Sequence, residues 1–79
     1  MEPEHTVRWR AIALAALHDD RPAIRERAIY DVSRLGNAAL GKASPDLQRL
    51  ALDGSEPAEV RAAADKALRV LGGEKPDGR

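Results

Sequence analysis

The chain has no cysteine and no phenylalanine, and only one tryptophan and one tyrosine. Without cysteine, disulfides, thiolate zinc sites and cysteine nucleophiles are excluded, and a reducing, cytoplasmic setting is the expectation. With so few rings, the core has to be assembled from Ala, Leu, Ile and Val, and frequent alanine favours closely packed helices. An excess of one charge is also lacking: 13 Lys and Arg face 13 Asp and Glu, so the net charge is zero. General attraction to nucleic acid or anionic lipid therefore has no basis. No apolar run approaches the ~20 residues of a membrane span. The first ten residues include Glu2, Glu4, Arg8 and Arg10, and no signal-peptide pattern follows. No stretch alternates with period two, so strands are not expected.

The residues of catalysis are missing as well. Gly36 and Gly72 end helical patterns and form no phosphate loop. Asp31 and Asp65 are isolated carboxylates, not an acid/base pair. Ser33, Ser44 and Ser55 sit in no nucleophile motif, and Ser44 reads as a helix cap. His5 and His18 are too far apart on one helix to chelate a metal, and His18 beside Asp19 and Asp20 reads as a helix end with its caps. The expectation is a protein that is not an enzyme, with no catalytic residue, no metal site and no cofactor.

What the chain does contain is a repeat. Ile24-Arg25, Ala28, Val32 and Leu35-Gly36 return as Val60-Arg61, Ala64, Leu68 and Leu71-Gly72, each pair 36 positions apart. A fixed period of this size marks a helical repeat whose units bury their apolar faces against one another. Such folds present extended surfaces more readily than catalytic pockets.

Four helical segments can be placed. The first runs from about Pro3 to His18, with Glu2 and Glu4 at the positive end of its dipole. Asp19 or Asp20 caps the second, which runs from Pro22 to Leu35 and stops at Gly36-Asn37. Residues 38–43 are ambiguous, since Gly41 weakens a turn of helix at Ala38-Ala39-Leu40. Ser44-Pro45-Asp46 restarts a helix that reads to about Leu52. The fourth runs from about Pro57 to Leu71 and ends at Gly72-Gly73. The expected fold is all-α: one domain over residues 1–73, with units at about 4–36 and 38–72, and a disordered tail at 74–79. Two antiparallel helix hairpins should stack side by side.

The second helix of each unit resembles the HEAT-repeat pattern, including the short HEAT-like repeats of bacterial proteins. The matching features are an acidic turn with Pro, then Ile24-Arg25 or Val60-Arg61, then Ala28 or Ala64, then Leu-Gly. The resemblance covers about residues 7–36 and 45–72. It departs at the second turn, which reads as one residue longer, and at 38–44. It implies a short α-solenoid. It also implies a ladder in which Asp19 and Arg25 tie the repeats together and Arg61 plays the same part, with Asp53 displaced by the longer turn. The second helix of each pair would line a concave surface.

At ~100° per residue, Ile24, Ala28, Val32 and Leu35 form one core stripe. Nearly opposite lie Arg27, Tyr30 and Arg34, residue types that anchor interfaces. With Arg61 and Lys66 they are the candidate partner-binding residues. Their counterparts Ala63, Lys66 and Val70 do not repeat the patch, which argues against a periodic ligand. In the first helix, Val7, Ala11, Leu14 and His18 form the stripe expected to face the second helix. Trp9, Ile12, Ala13 and Ala16 lie on the far side, and every residue from Ala11 to Leu17 is apolar. Trp9 is expected to fill the groove between hairpins. The alternative leaves it exposed, so that Trp9, Ile12, Ala63 and Val70 support self-association and a homodimer.

These features point to a non-catalytic protein–protein interaction or scaffold module with a protein partner. One alternative is nucleic-acid binding through a local arginine cluster on the concave face (Arg8, Arg10, Arg25, Arg27, Arg34), against which the neutral charge weighs. Another is an accessory subunit of an enzyme, by analogy with the HEAT-like subunits of bilin lyases. A fragment of a longer solenoid is a further alternative, since two repeats are fewer than usual.

Overall fold

The computed structural model describes residues 4–73, with side chains from residue 8. The start expected at Pro3, the Val7 side chain and the tail at 74–79 lie outside the described residues. Within them the chain is all-α, with α1 at Glu4–Ala16, α2 at Pro22–Leu35, α3 at Asn37–Leu52 and α4 at Ala58–Leu71. No described helix is long and apolar enough to cross a membrane.

The 36-residue period extends beyond the two matching helices. Ala16 and Leu52 end their helices 36 positions apart, Pro22 and Ala58 begin theirs at the same offset, and Leu35 and Leu71 end at it again. The two connections, 17–21 and 53–57, are therefore equally long. This corrects the reading of a longer second turn. Glu56, not Asp53, is the residue 36 positions after Asp20.

The first connection is tightened by short backbone bonds. The Leu17, His18 and Asp19 amides donate to the carbonyls of Leu14, Ala15 and Ala16 at 3.3, 3.0 and 3.1 Å, so α1 stops before His18. Neither Asp19 nor Asp20 caps α2: Arg21 stands in the cap position with an extended backbone and no side-chain cap bond, and Pro22 follows in the first turn. The Asp19 carboxylate instead takes the Arg21 amide at 2.9 Å and the Arg21 guanidinium at 3.0 and 3.1 Å.

Those bonds, first from the guanidinium and then from the amide, hold Asp19 down from 3.8 to about 2. The unfolded chain takes up that proton near the ordinary value and the folded chain only near the lower one. The stability Asp19 contributes is thus complete above pH ~4 and lost as pH falls through ~2. The urea midpoint of Asp19→Asn should lie below that of wild type by a constant amount near neutrality. The gap should narrow as pH drops from ~4 to ~2.

A single residue joins α2 to α3. Gly36 lies at φ 103°, ψ −178°, a region essentially reserved for glycine. Its amide donates to Ser33 and its carbonyl accepts from Leu40, at 3.3 and 3.0 Å, so it closes one helix and opens the next.

The helix start expected at Ser44-Pro45 is not there. α3 begins at Asn37 and passes through Gly41, Ser44 and Pro45 without interruption. Ser44 does not cap; its hydroxyl accepts from the Gln48 amide at 3.2 Å. Packing overrides the proline signal. Ala39, Leu40, Ala43, Leu47 and Leu50 form one continuous buried stripe, whereas Pro45 and Gly41 lie on the exposed side. The amide missing at Pro45 therefore costs a bond facing water, where the Gly41 carbonyl can be solvated. Pro45→Ala restores that bond and should raise stability by about 1–2 kcal/mol, visible as a higher urea midpoint.

All four helices contribute to one buried cluster. α4 packs against α3 and α2, and α2 also packs against α1 and α3. Two faces differ from expectation. The first segment buries Ala13 of α1 and Leu17 just past its end, with Leu14 partly covered, while Ala11 and, in the connection, His18 are exposed. A run apolar at every position does not specify which side turns inward, so packing chose. On α2, Ala28 and Val32 are buried as expected and Ile24 and Leu35 partly so. Ile29 is fully buried as well.

A buried ion pair joins α2 to the connection before α4. The Arg25 Nη2 donates to Glu56 Oε1 at 2.5 Å and Nη1 to the Asp19 carbonyl at 2.7 Å. The side chains are only 15 % and 5 % exposed. The Asp19–Arg25 ladder pairing that the resemblance implies is not found: Arg25 takes the Asp19 backbone carbonyl and the Glu56 carboxylate, and the Asp19 carboxylate belongs to Arg21. Glu56 raises the Arg25 guanidinium above its ordinary value, chiefly through the hydrogen bond.

Candidate functional site

Arg27, Tyr30 and Arg34 project from α2 as expected and are exposed, and Lys66 is exposed on α4. Tyr30, Arg34 and Lys66 come together around a shallow groove of about 350 Å³, floored by Ala63, Ala67 and Val70 with Ser33 alongside. The floor is flat because α4 offers only small side chains there. The wall is amphipathic: the Tyr30 ring on one side, two cations on the others. The Tyr30 hydroxyl donates to Glu26 across one helical turn at 3.4 Å.

The groove continues around Arg34. Trp9 of α1 stands over α2 beside Arg27, Asp31, Arg34 and Leu35, bounding a second depression of about 380 Å³. Trp9 is 56 % exposed, which corrects the expectation that it fills the space between helix pairs. It lies one turn before Ala13 on the buried side of α1, but there the neighbour is Leu35, at the very end of α2, which cannot cover an indole. Ile12 is exposed as well. Ala63, expected off the core stripe, is buried, and Val70 is partly buried. α2 packs closely over the alanine side of α4, so both residues belong to the floor and core more than to a free edge.

Arg61 does not join this surface. It is exposed on α4, well around the helix from Lys66 at ~100° per residue. It holds the position Arg25 holds in α2, but it has no ion pair among the described residues.

The electrostatics of the surface are set by what its cations do not touch. Most other described arginines are engaged: Arg21 with Asp19, Arg25 with Glu56, Arg49 with Asp46 and Arg69 with Asp65. Arg27, Arg34 and Lys66 take part in no hydrogen bond or ion pair among the described residues. Asp31 supplies one negative charge at the Trp9 end, and Glu26 and Glu59 line the adjoining depression beside Tyr30, Ala63 and Lys66, so three carboxylates share this face with the three cations. Tyr30, Arg27, Arg34 and Lys66 were legible in the sequence. Trp9 and Asp31 were missed as members of this surface, because their place depends on how α1 lies across α2.

Other polar groups have structural partners. His18 Nε2 lies 3.1 Å from Asp46 Oδ2, linking the first turn to α3. The Ser33 hydroxyl donates to the Ile29 carbonyl. Asp53 accepts from the Ser55 hydroxyl and amide, which hold its carboxyl below the usual range. Among the described residues, no group of three His, Cys, Asp or Glu is placed to hold a metal ion. No protein-family model, curated protein or solved structure matches the chain.

Proposed function

We propose that this chain is a non-catalytic protein-interaction module built from two stacked helix hairpins, a short solenoid of the kind HEAT-like repeats form. The observation that carries the reading is the α2–α4 groove, where an apolar floor lies between an exposed tyrosine and two cations with no internal partner. Interface anchors combine these properties: a rigid ring, forked donors and desolvated apolar area. The repeat register supports the stacked arrangement, because α2 and α4 keep an offset of 36 at both ends and Arg25 reaches from one unit to the turn of the next.

The outer side of α4 differs from the side of α2 that packs on it. The residues 36 positions after Ile29 and Ser33 are Asp65 and Arg69, and they form a salt bridge at 3.0 Å. A further unit docking on that side would meet this charged pair. Polar outer faces of this kind cap repeat stacks.

The test is capture from native extract by the tagged protein, with nuclease on half of the sample. The bait is compared with Arg27→Glu/Arg34→Glu and with Tyr30→Asp. The expected result is a protein partner that survives nuclease and is lost, roughly tenfold or more, with each variant. Partners that disappear with nuclease would put nucleic-acid binding through the same arginines in its place. A partner held equally by wild type and both variants would remove this surface from the account.

A further inference from the structure

The charges around Tyr30 are sorted by position. Glu26 and Glu59 line one depression with Tyr30, Ala63 and Lys66. Arg34 and Lys66 line the adjoining groove, again with Tyr30 and Ala63. Early residues of α2 and α4 share the first and late residues the second, so the two helices run the same way across the face. Its acids there lie towards the helix starts and its cations towards the helix ends. Glu26 and Arg34 stand four positions either side of Tyr30, ~6 Å each way along the helix. Glu59 and Lys66 are centred on Ala62 and Ala63. On the Trp9 side, Arg27 and Asp31 are centred beside Tyr30 with the signs reversed. None of these six residues forms an ion pair among the described residues.

We infer that this face is covered by a second copy of the chain, docked antiparallel about a two-fold axis that crosses α2 near Tyr30. Reversing the helix direction sets the acidic end of one copy on the basic end of the other. Glu26 then faces Arg34 of the second copy, Glu59 faces its Lys66, and Arg27 faces its Asp31. Symmetry makes each of these contacts twice, as an isologous interface requires. The two Tyr30 rings meet near the axis beside Ala63 and supply the apolar centre. Other occupants match the charges less well. A copy docked with its helices parallel sets acid on acid. A purely acidic or purely basic segment pairs with three of the six charges and opposes the other three, which like-charge repulsion penalises. With small side chains at its centre and exposed charges around it, the contact is modest in strength and weakens with salt.

This inference rests on the interaction-module reading and names its partner, and the test separates the two. The full chain is followed by sedimentation equilibrium over a concentration series reaching the millimolar range, at low and high salt. The wild type should dimerise, less so at high salt. Glu26→Arg alone sets cation on cation across the axis, and Arg34→Glu alone sets acid on acid. Each should weaken self-association roughly tenfold or more. Mixing the two single variants restores opposite charges at both contacts, so the mixture should dimerise where neither variant does alone. The double variant Glu26→Arg/Arg34→Glu exchanges the two charges within one chain and should dimerise with itself. These recoveries also show that the variants fold. A wild type that stays monomeric throughout, single variants that dimerise as well as wild type, or a mixture and a double variant that both stay monomeric would each overturn the second copy as occupant. If that happens while extract capture still depends on Tyr30, the module stands and its partner is a different protein. Loss of both results removes the module as well.

Discussion

Leu47→Ala is expected to cost about 3 kcal/mol. Leu47 is completely buried, and a leucine truncated at such a site loses its transfer free energy and leaves a cavity that neighbours fill only partly. A chain of 79 residues has roughly 4–12 kcal/mol in all, so this one change removes a quarter or more of it. The melting temperature should fall by roughly 10–20 °C, read by circular dichroism. The site matters because the stripe from Ala39 to Leu50 holds α3 helical past Pro45, and Leu47 is the first large apolar side chain beyond the proline. Leu52, on the same helix, is 86 % exposed, and Leu52→Ala should change stability by less than about 0.5 kcal/mol. Equal effects at the two positions would mean that the stripe is wrongly placed.

Glu56→Ala should be the most damaging change to a polar residue. Glu56 is the one buried charged residue in the described chain, and its removal leaves the Arg25 guanidinium covered, with its Nε already lacking a partner. Breaking a covered pair from one side is costly because the remaining charge is stranded. The comparison is Arg69→Ala, which opens the exposed Asp65–Arg69 pair and should cost little. A double-mutant cycle of Arg25→Ala with Glu56→Ala should show a coupling several times that of the Asp65–Arg69 cycle. It should also persist at high salt, since covered pairs are weakly screened. Similar couplings for the two pairs would show that the Arg25–Glu56 link carries no special weight between the units.

The structure also shows how far periodicity can be read. α2 is clearly amphipathic, and its span is the expected one; α4 starts one residue later than expected. From Ala11 to its end α1 is apolar at every position, so its pattern gave no direction, and the buried residues are Ala13 and, just past the helix, Leu17. α3 carried a strong start signal at Ser44-Pro45, but a proline on the exposed side of a helix costs one solvated bond, less than the buried stripe contributes. Glu56 stood in a polar turn that looked like any other connection. Only the equal length of the two turns, unseen until both helices were placed, brings it opposite Arg25. For the candidate surface, Arg27, Tyr30, Arg34 and Lys66 follow from helical spacing alone. The small floor of Ala63 and Ala67 does not, because an alanine off the main stripe gives no sign of being covered by a neighbouring helix.

The measurement that tests the central claim most directly is a methyl-resolved NOE spectrum of Ile29. If the two units stack through α2 and α4, the Ile29 methyls lie against α4, and cross-peaks to the methyls of Ala63 or Ala67 are expected. Cross-peaks from Ile29 confined to α1 and α3, with none to α4, would contradict the stacking and remove the groove built on it.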